Sequence, residues 1–372
     1  MNVRIIFIVS LFMCIFSSPT CYGQGYYTRQ QESKTATQKK SPANKATVQF
    51  RVVNSFSGGL ACVMNANYKY GFIDESGKTV IPFKWDYVGN FHNDLAYVTD
   101  ANGKRGFIDK TGKLVIPCTW KFAYDFYEGL AMVKDENNKF GFIDQTGKVV
   151  VPCEWHIGEN DFFRYDYRFS EGLALIKDEN NKYGYIDQSG KLVIPCQWSG
   201  AKPFSEGLAV IKVDHRGFYD YYGYIDKTGN VVSSSQWRKA ESFSEGLAAI
   251  KDDNYKSGFI DKTGKVVIPC QWKNAYSFSE GLAAVEDENG KYGFIDKTGK
   301  VVIPCQWKWA DSFSEGLAKV EDGDYKCGYI DLTGKVIIPC KWSRANRFTE
   351  GYALVGISDV DMIINKKGER VF

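Results

Sequence analysis

The chain has 372 residues, 24% of them charged, and a formal net charge of +3. Acidic and basic side chains are interspersed along its whole length with no basic block, which excludes the electrostatic footprint of a nucleic-acid or anionic-membrane binder. Its 10 Cys show none of the close Cys or His spacing of a zinc site, so neither metal nor cofactor is expected.

In chain order, the first element is an export signal at residues 1–23. Arg4 is its only charge, Ile5 to Phe16 are apolar, and small residues follow. That run is too short for a membrane-spanning helix, which needs about 20 apolar residues. Cleavage after Gly23 is the expected processing. The alternative is a lipoprotein with Cys21 acylated, although Ser18-Pro19-Thr20-Cys21 lacks the usual Leu three residues ahead. Residues 24–47 are polar and read as a flexible linker.

From residue 48 to 372 the chain repeats. Trp recurs at 85, 120, 155, 198, 237, 272, 307 and 342, and a Gly ahead of each keeps the same beat, from Gly71 to Gly328. Most gaps are 35 residues, within the range of solenoid and propeller repeats. In one undisturbed copy, Phe278 to Trp307, three strands are expected: Leu282–Val285, Tyr292–Asp296 and Val301–Trp307. Asp296-Lys297-Thr298-Gly299-Lys300 between the last two is hairpin-turn chemistry, an Asp able to bond its own backbone and a Gly able to take positive φ. Along Val301–Trp307, Val301, Ile303, Cys305 and Trp307 are expected to share one face. Pro304 places this strand at an edge or a bend. Within Leu282–Val285, the variable position between Ala283 and Val285 is expected on an outer face. Eight copies are complete and a ninth begins at Phe348. The fold class is all-β, an array of eight to nine three-strand units. An open β-solenoid-like superhelix is favoured, with a closed β-propeller-like ring as the alternative, its last blade completed by the N-terminal strand.

The run Gly-Phe-Ile-Asp-x-Thr-Gly-Lys-x-Val-Ile-Pro, with Phe-Ser-Glu-Gly-Leu-Ala-x-Val, resembles the bacterial WG-repeat proteins over roughly residues 48–372. The Trp-Gly pair itself is missing. Tyr70, Arg105, Phe140, Tyr183, Tyr222, Ser257, Tyr292 or Cys327 precedes the Gly, and Trp stands instead after Ile-Pro. The resemblance implies a binding or interaction module.

Residues present in nearly every copy are best explained by what every copy needs. The eight Trp are expected to fill a seam between units, and the Asp series from Asp74 to Asp331 to open turns. The Glu series from Glu128 to Glu350 is expected at strand ends, and six Cys from Cys118 to Cys340 as buried thiols. Trp309, outside the register, is the better surface candidate.

Two insertions break the beat. From Trp155 to Phe169 is eight residues longer than usual, and the stretch includes His156, Phe162, Phe163, Arg164, Tyr165 and Tyr167. From Leu208 to Gly223 is four longer, with His215, Arg216, Phe218, Tyr219, Tyr221 and Tyr222. Both loops should leave the edge opposite the Lys-Thr-Gly turns and form an aromatic, partly basic contact patch. No nucleophile–base pairing or phosphate loop stands out, so no catalytic residue is expected. The expected function is an exported scaffold binding an envelope or extracellular protein, with a glycan or cell-wall ligand as the alternative.

Overall fold

A computed structural model describes residues 50–156, 167–216, 219–358 and 360–371, and the expected signal and linker lie outside them. The described chain forms nine antiparallel sheets, eight of four strands and one of three, each a simple meander in chain order. We number these blades 1–9: residues 50–85, 87–120, 122–155, 169–198, 200–237, 239–272, 274–307, 309–342 and 344–365. Blade 7 is typical, with strands Asn274–Ala275, Leu282–Glu286, Tyr292–Asp296 and Val301–Trp307.

The unit therefore has four strands rather than the three expected. The extra one is a two-residue ladder, Asn274↔Glu286 and Ala275↔Val285, resumed at the Ser279↔Leu282 bridge. It is too short and too variable in sequence to carry a period-2 pattern. In blade 9 only the first three strands are full, and Arg370 bridging Ile364 is a stub of the fourth.

Packing between blades is aromatic. The Phe of each first strand meets the Phe or Tyr of the preceding blade's third strand, from Phe72–Phe91 at 4.9 Å to Tyr329–Phe348 at 4.8 Å. Burying one such ring contributes about 2 kcal/mol. The series does not stop at blade 9. Phe56 of blade 1 lies 4.7 Å from Tyr352 and shares a buried cluster with Ile363. Glu350 accepts the Gly58 and Gly59 amides at 2.6 and 2.9 Å, and Arg51 pairs with Asp361 at 3.2 Å. The last blade thus packs on the first, and the array is a closed nine-bladed propeller. This corrects the open superhelix. The N-terminal strand Phe50–Ser57 pairs with Leu60–Asn65 in its own blade, so it does not complete the last one either.

First strands sit at the inside of the ring, where equivalent segments of adjacent blades bond directly to one another. Ser205 Oγ, for example, donates to the Phe243 carbonyl at 2.7 Å. Second strands are buried on both sides. Ala284 and Cys62 are 0% and 2% exposed and Lys319 is 9% exposed, which corrects the outer face expected there. Fourth strands form the rim, with Val301 and Val302 exposed. Their alternation is interrupted: Tyr292↔Trp307, Phe294↔Ile303 and Ile295↔Val301 leave extra residues on the fourth strand around Pro304. This bulge folds over the recurring Gly. A Cβ on Gly293 would stand 2.5 Å from the Ile303 carbonyl and 2.7 Å from the Cys305 amide, so no side chain fits.

All eight recurring Trp pack in the buried clusters between blades, as in the group of Trp307 with Phe294, Phe313 and Val320. Trp309 is partly buried rather than exposed. It belongs to that same group and donates to Asp311 at 2.7 Å.

Candidate functional site

A four-stranded meander puts its turns on two faces. First-to-second and third-to-fourth turns share one face. Second-to-third turns and the crossings between blades share the other.

On the first face, every inner hairpin has two successive residues at positive φ. They are Gly58-Gly59 in blade 1, Asn93-Asp94 in blade 2 and Glu-Gly in the other seven blades. Both central residues at φ > 0 define the type I′ turn that suits strand twist, normally built from Asn and Gly. Glu is an unusual choice, and its partner explains it. Glu206 accepts the Gly246 amide of the next blade at 2.9 Å, and Glu280 that of Gly316 at 2.9 Å. The seven carboxylates from Glu128 to Glu350 all clasp the following turn in this way. Four also pair with a Lys of the outer turn, as in Lys262–Glu206 at 3.1 Å. Burial pushes the Glu171, Glu206 and Glu315 carboxyls up, but the Lys and amide bonds outweigh it and hold them below the usual range.

The Asp series closes the outer turns. Asp296 Oδ1 accepts from the Thr298 hydroxyl at 2.6 Å and from the Thr298 and Lys300 amides at 2.9 and 3.1 Å. The hydroxyl bond is the largest cause of its lowered pKa. Both carboxylate series are thus committed to the scaffold.

The inner strand breaks pattern in blades 2 and 3, which sequence reasoning passed over. His92 and Tyr127 stand where six other blades place a Ser bonded to the next blade. His92 Nε2 is 3.6 Å from Asp125 Oδ2, and its ring lies 5.4 Å from Tyr127, on which Arg168 stacks at 4.5 Å. Burial pushes Asp125 up to about 7 against the opposing charge of Arg105, and burial together with the Arg168 charge pushes His92 down. The signal was present: the Ser of Phe-Ser-Glu-Gly gives way to His92 and Tyr127 in adjacent copies.

The insertions emerge on the second face, from adjacent blades. Phe162, Phe163, Arg164, Tyr165 and Phe218 lie outside the described residues. His156 bridges Lys177, lies against Lys139 and stands 3.8 Å from Glu179. Tyr167 is buried, 6.5 Å from the Tyr183 ring. His215 and Arg216 end strand Leu208–Arg216, and Arg216 pairs with Tyr219 across the hairpin. Tyr222 packs in the cluster between blades 5 and 6. Tyr221 reaches blade 6, donating to Asp253 at 3.1 Å with the Arg238 guanidinium 4.6 Å from its ring. The described members are therefore spread over blades 3 to 6, and Tyr167 and Tyr222 serve packing.

Also on this face, Tyr68, Tyr255 and Tyr325 project from second-to-third turns, 76%, 55% and 63% exposed. The eight described Cys are free, and burial pushes the six recurring thiols up to about 11 and Cys62 up to about 12, away from the reactive thiolate. Among the described residues no three His, Cys, Asp or Glu converge as a metal site requires.

The model of the WG containing repeat matches residues 70–104, 106–140, 140–156, 183–214, 222–255, 258–292, 292–325 and 328–359. No curated protein matches the chain. Among solved structures it is similar to BamB from Moraxella catarrhalis, at 12% identity over 77% of this chain and 97% of that one, with a TM-score of 0.42. It is similar also to the computationally designed Ika8 protein, at 12% identity over 76% and 93%, with a TM-score of 0.42. The matched repeats begin at third strands, and all but 140–156 give half a blade to one sheet and half to the next. Eight repeats with a half-blade at each end account for nine blades, and the chain belongs to the WG containing repeat family.

Proposed function

We propose that this propeller is an exported, non-catalytic scaffold that binds another protein at the bacterial cell envelope. The observation that carries this reading is where the pattern breaks. The recurrent carboxylates and indoles are committed to turns, clasps and seams, whereas both insertions leave neighbouring blades on one face. The blade 5 hairpin is extended to Leu208–Arg216 and Tyr219–Asp226, against five residues per strand in blade 6. Lengthened loops on one face of a repeat array are a usual site of partner recognition. Export rests on the sequence of residues 1–23, with acylation at Cys21 as the alternative route to the envelope.

The test is to shorten both loops to the length of their counterparts and compare crosslinked partners recovered from intact cells. Loss of one specific envelope protein, with an unchanged melting temperature, supports the reading. Capture of the same protein by the shortened variant refutes it.

A further inference from the structure

We propose that Tyr68, Tyr255 and Tyr325 form a carbohydrate-stacking arc for a β-1,4-linked pyranose polymer, a ligand distinct from the protein partner above. Each occupies the left-handed position of a second-to-third turn, at φ 58°, 58° and 57°. The same position is Gly103, Asn138, Asn181 and Gly290 in blades 2, 3, 4 and 7, at φ 75°, 64°, 60° and 72°. Those are the residues the turn prefers, because a bulky L side chain is strained there. Burial does not offset the strain, since these three rings are more than half exposed. Strain kept without a packing return marks a candidate functional position.

Their placement is regular. Blades 6, 8 and 1 are alternate members of the closed ring, so the three rings stand on equivalent turns of every second blade along one arc. Equivalent platforms at regular intervals suit a ligand that itself repeats.

The neighbours decide the chemical class. A protein anchor sits in a desolvated, apolar pocket, whereas these rings rise from turns with exposed Asn67, Asn254 and Asp324. Cations lie over one side of two of the rings: Lys308 is 5.6 Å from the Tyr325 centroid, and Arg238, which also pairs with Asp253, is 5.9 Å from that of Tyr255. A pyranose with equatorial hydroxyls matches this mixture. Its flat C–H face stacks on an aromatic ring, and its hydroxyls take amide, carboxylate and ammonium partners at the edge.

Affinity gel electrophoresis of the mature chain in hydroxyethylcellulose and in glycol chitin tests the arc. Retardation by at least one polymer is expected. It should weaken several-fold in each single Tyr→Asn variant and vanish in the triple variant, while Tyr→Phe at all three positions retains it. Asn is the residue of sister blades, so a native melting temperature shows that lost retardation is not unfolding. The variant with both insertions shortened should still be retarded, which separates this site from the partner face. Wild-type mobility unaffected by both polymers overturns the proposal, as does a triple Tyr→Asn variant retarded like wild type. Loss of a crosslinked protein partner from the triple variant, without glycan retardation of wild type, makes the arc a protein interface and overturns it too.

Discussion

Glu245 and Tyr68 adopt nearly the same backbone conformation, at φ 55° and 58°, on opposite faces of one ring. Glu245 is matched six more times and reaches a neighbour every time. Tyr68 is matched twice and extends into solvent. On the clasp face an unfavourable φ recurs because each carboxylate bonds two blades together. On the insertion face the same φ recurs without such a return. One fold therefore distributes its roles by face: one side holds the ring shut, and the other is where departures from the repeat accumulate.

The largest effect that sharpens this contrast involves glycine. Gly293 lies under the bulged fourth strand of blade 7, while a Cβ at Gly323, in a turn of the insertion face, would meet nothing within 4 Å. Gly293→Ala should cost roughly 3 kcal/mol through backbone clash, and Gly323→Ala should stay within about 0.5 kcal/mol. Urea unfolding of both variants checks this. Equal midpoints would show that the bulge yields and that the recurring Gly has another cause.

A second test asks whether the inner strand belongs wholly to the scaffold. Burial pushes the Asp125 carboxyl, its side chain only 13% exposed, from the usual 3.8 up to about 7. The folded state then holds the proton more tightly than the unfolded chain, so stability falls as pH rises from about 4 to about 7. His92, shifted down, acts in the opposite sense, its stabilisation being lost as pH falls below 6.5. Asp125→Asn should match wild type near pH 4 and exceed its stability by roughly 1–3 kcal/mol near pH 8. A parallel pair of stability–pH curves would mean that Asp125 is not perturbed.

Much of this architecture was legible in the sequence, and the parts that were not share a cause. The 35-residue beat, the Asp–Thr–Gly turns and the Pro-marked edge strand are local features, read correctly from a few adjacent residues. Closure is not local. It depends on a small rotation per blade summed nine times, and no window of sequence contains it. The first strand was missed because in seven of the nine blades only two residues, such as Asn274 and Ala275, join the ladder continuously. The Glu series was read as strand-end residues because its partners lie in the next unit, as Gly281 does for Glu245, 36 residues on. The His92–Asp125 pair spans two copies in the same way. Aligning copies against one another, position by position, would have exposed both His92 and the three tyrosines.

The smallest effect is the most direct test of the opening contrast, because one substitution should change sign with the face. Replacing an L residue by Gly at a left-handed position relieves about 1 kcal/mol of backbone strain, partly offset by the greater freedom of the unfolded chain. At Tyr68 nothing else of consequence is lost, since the ring is 76% exposed, and Tyr68→Gly should raise stability by roughly 0.5 kcal/mol. At Glu245 the same relief is set against two contacts, the Gly281 amide at 3.1 Å and the Lys297 ammonium at 3.1 Å. A hydrogen bond to a charged group contributes about 1.5–3 kcal/mol, and the half-exposed ion pair adds a few tenths at most. Glu245→Gly should therefore lower stability by roughly 1 kcal/mol, and added salt should narrow the deficit only slightly, because the amide bond is the larger part. Calorimetric melting of the two variants beside wild type reads the sign directly. Stabilisation by both would reduce the clasp to a surface contact, and destabilisation by both would give Tyr68 a structural role within its own blade.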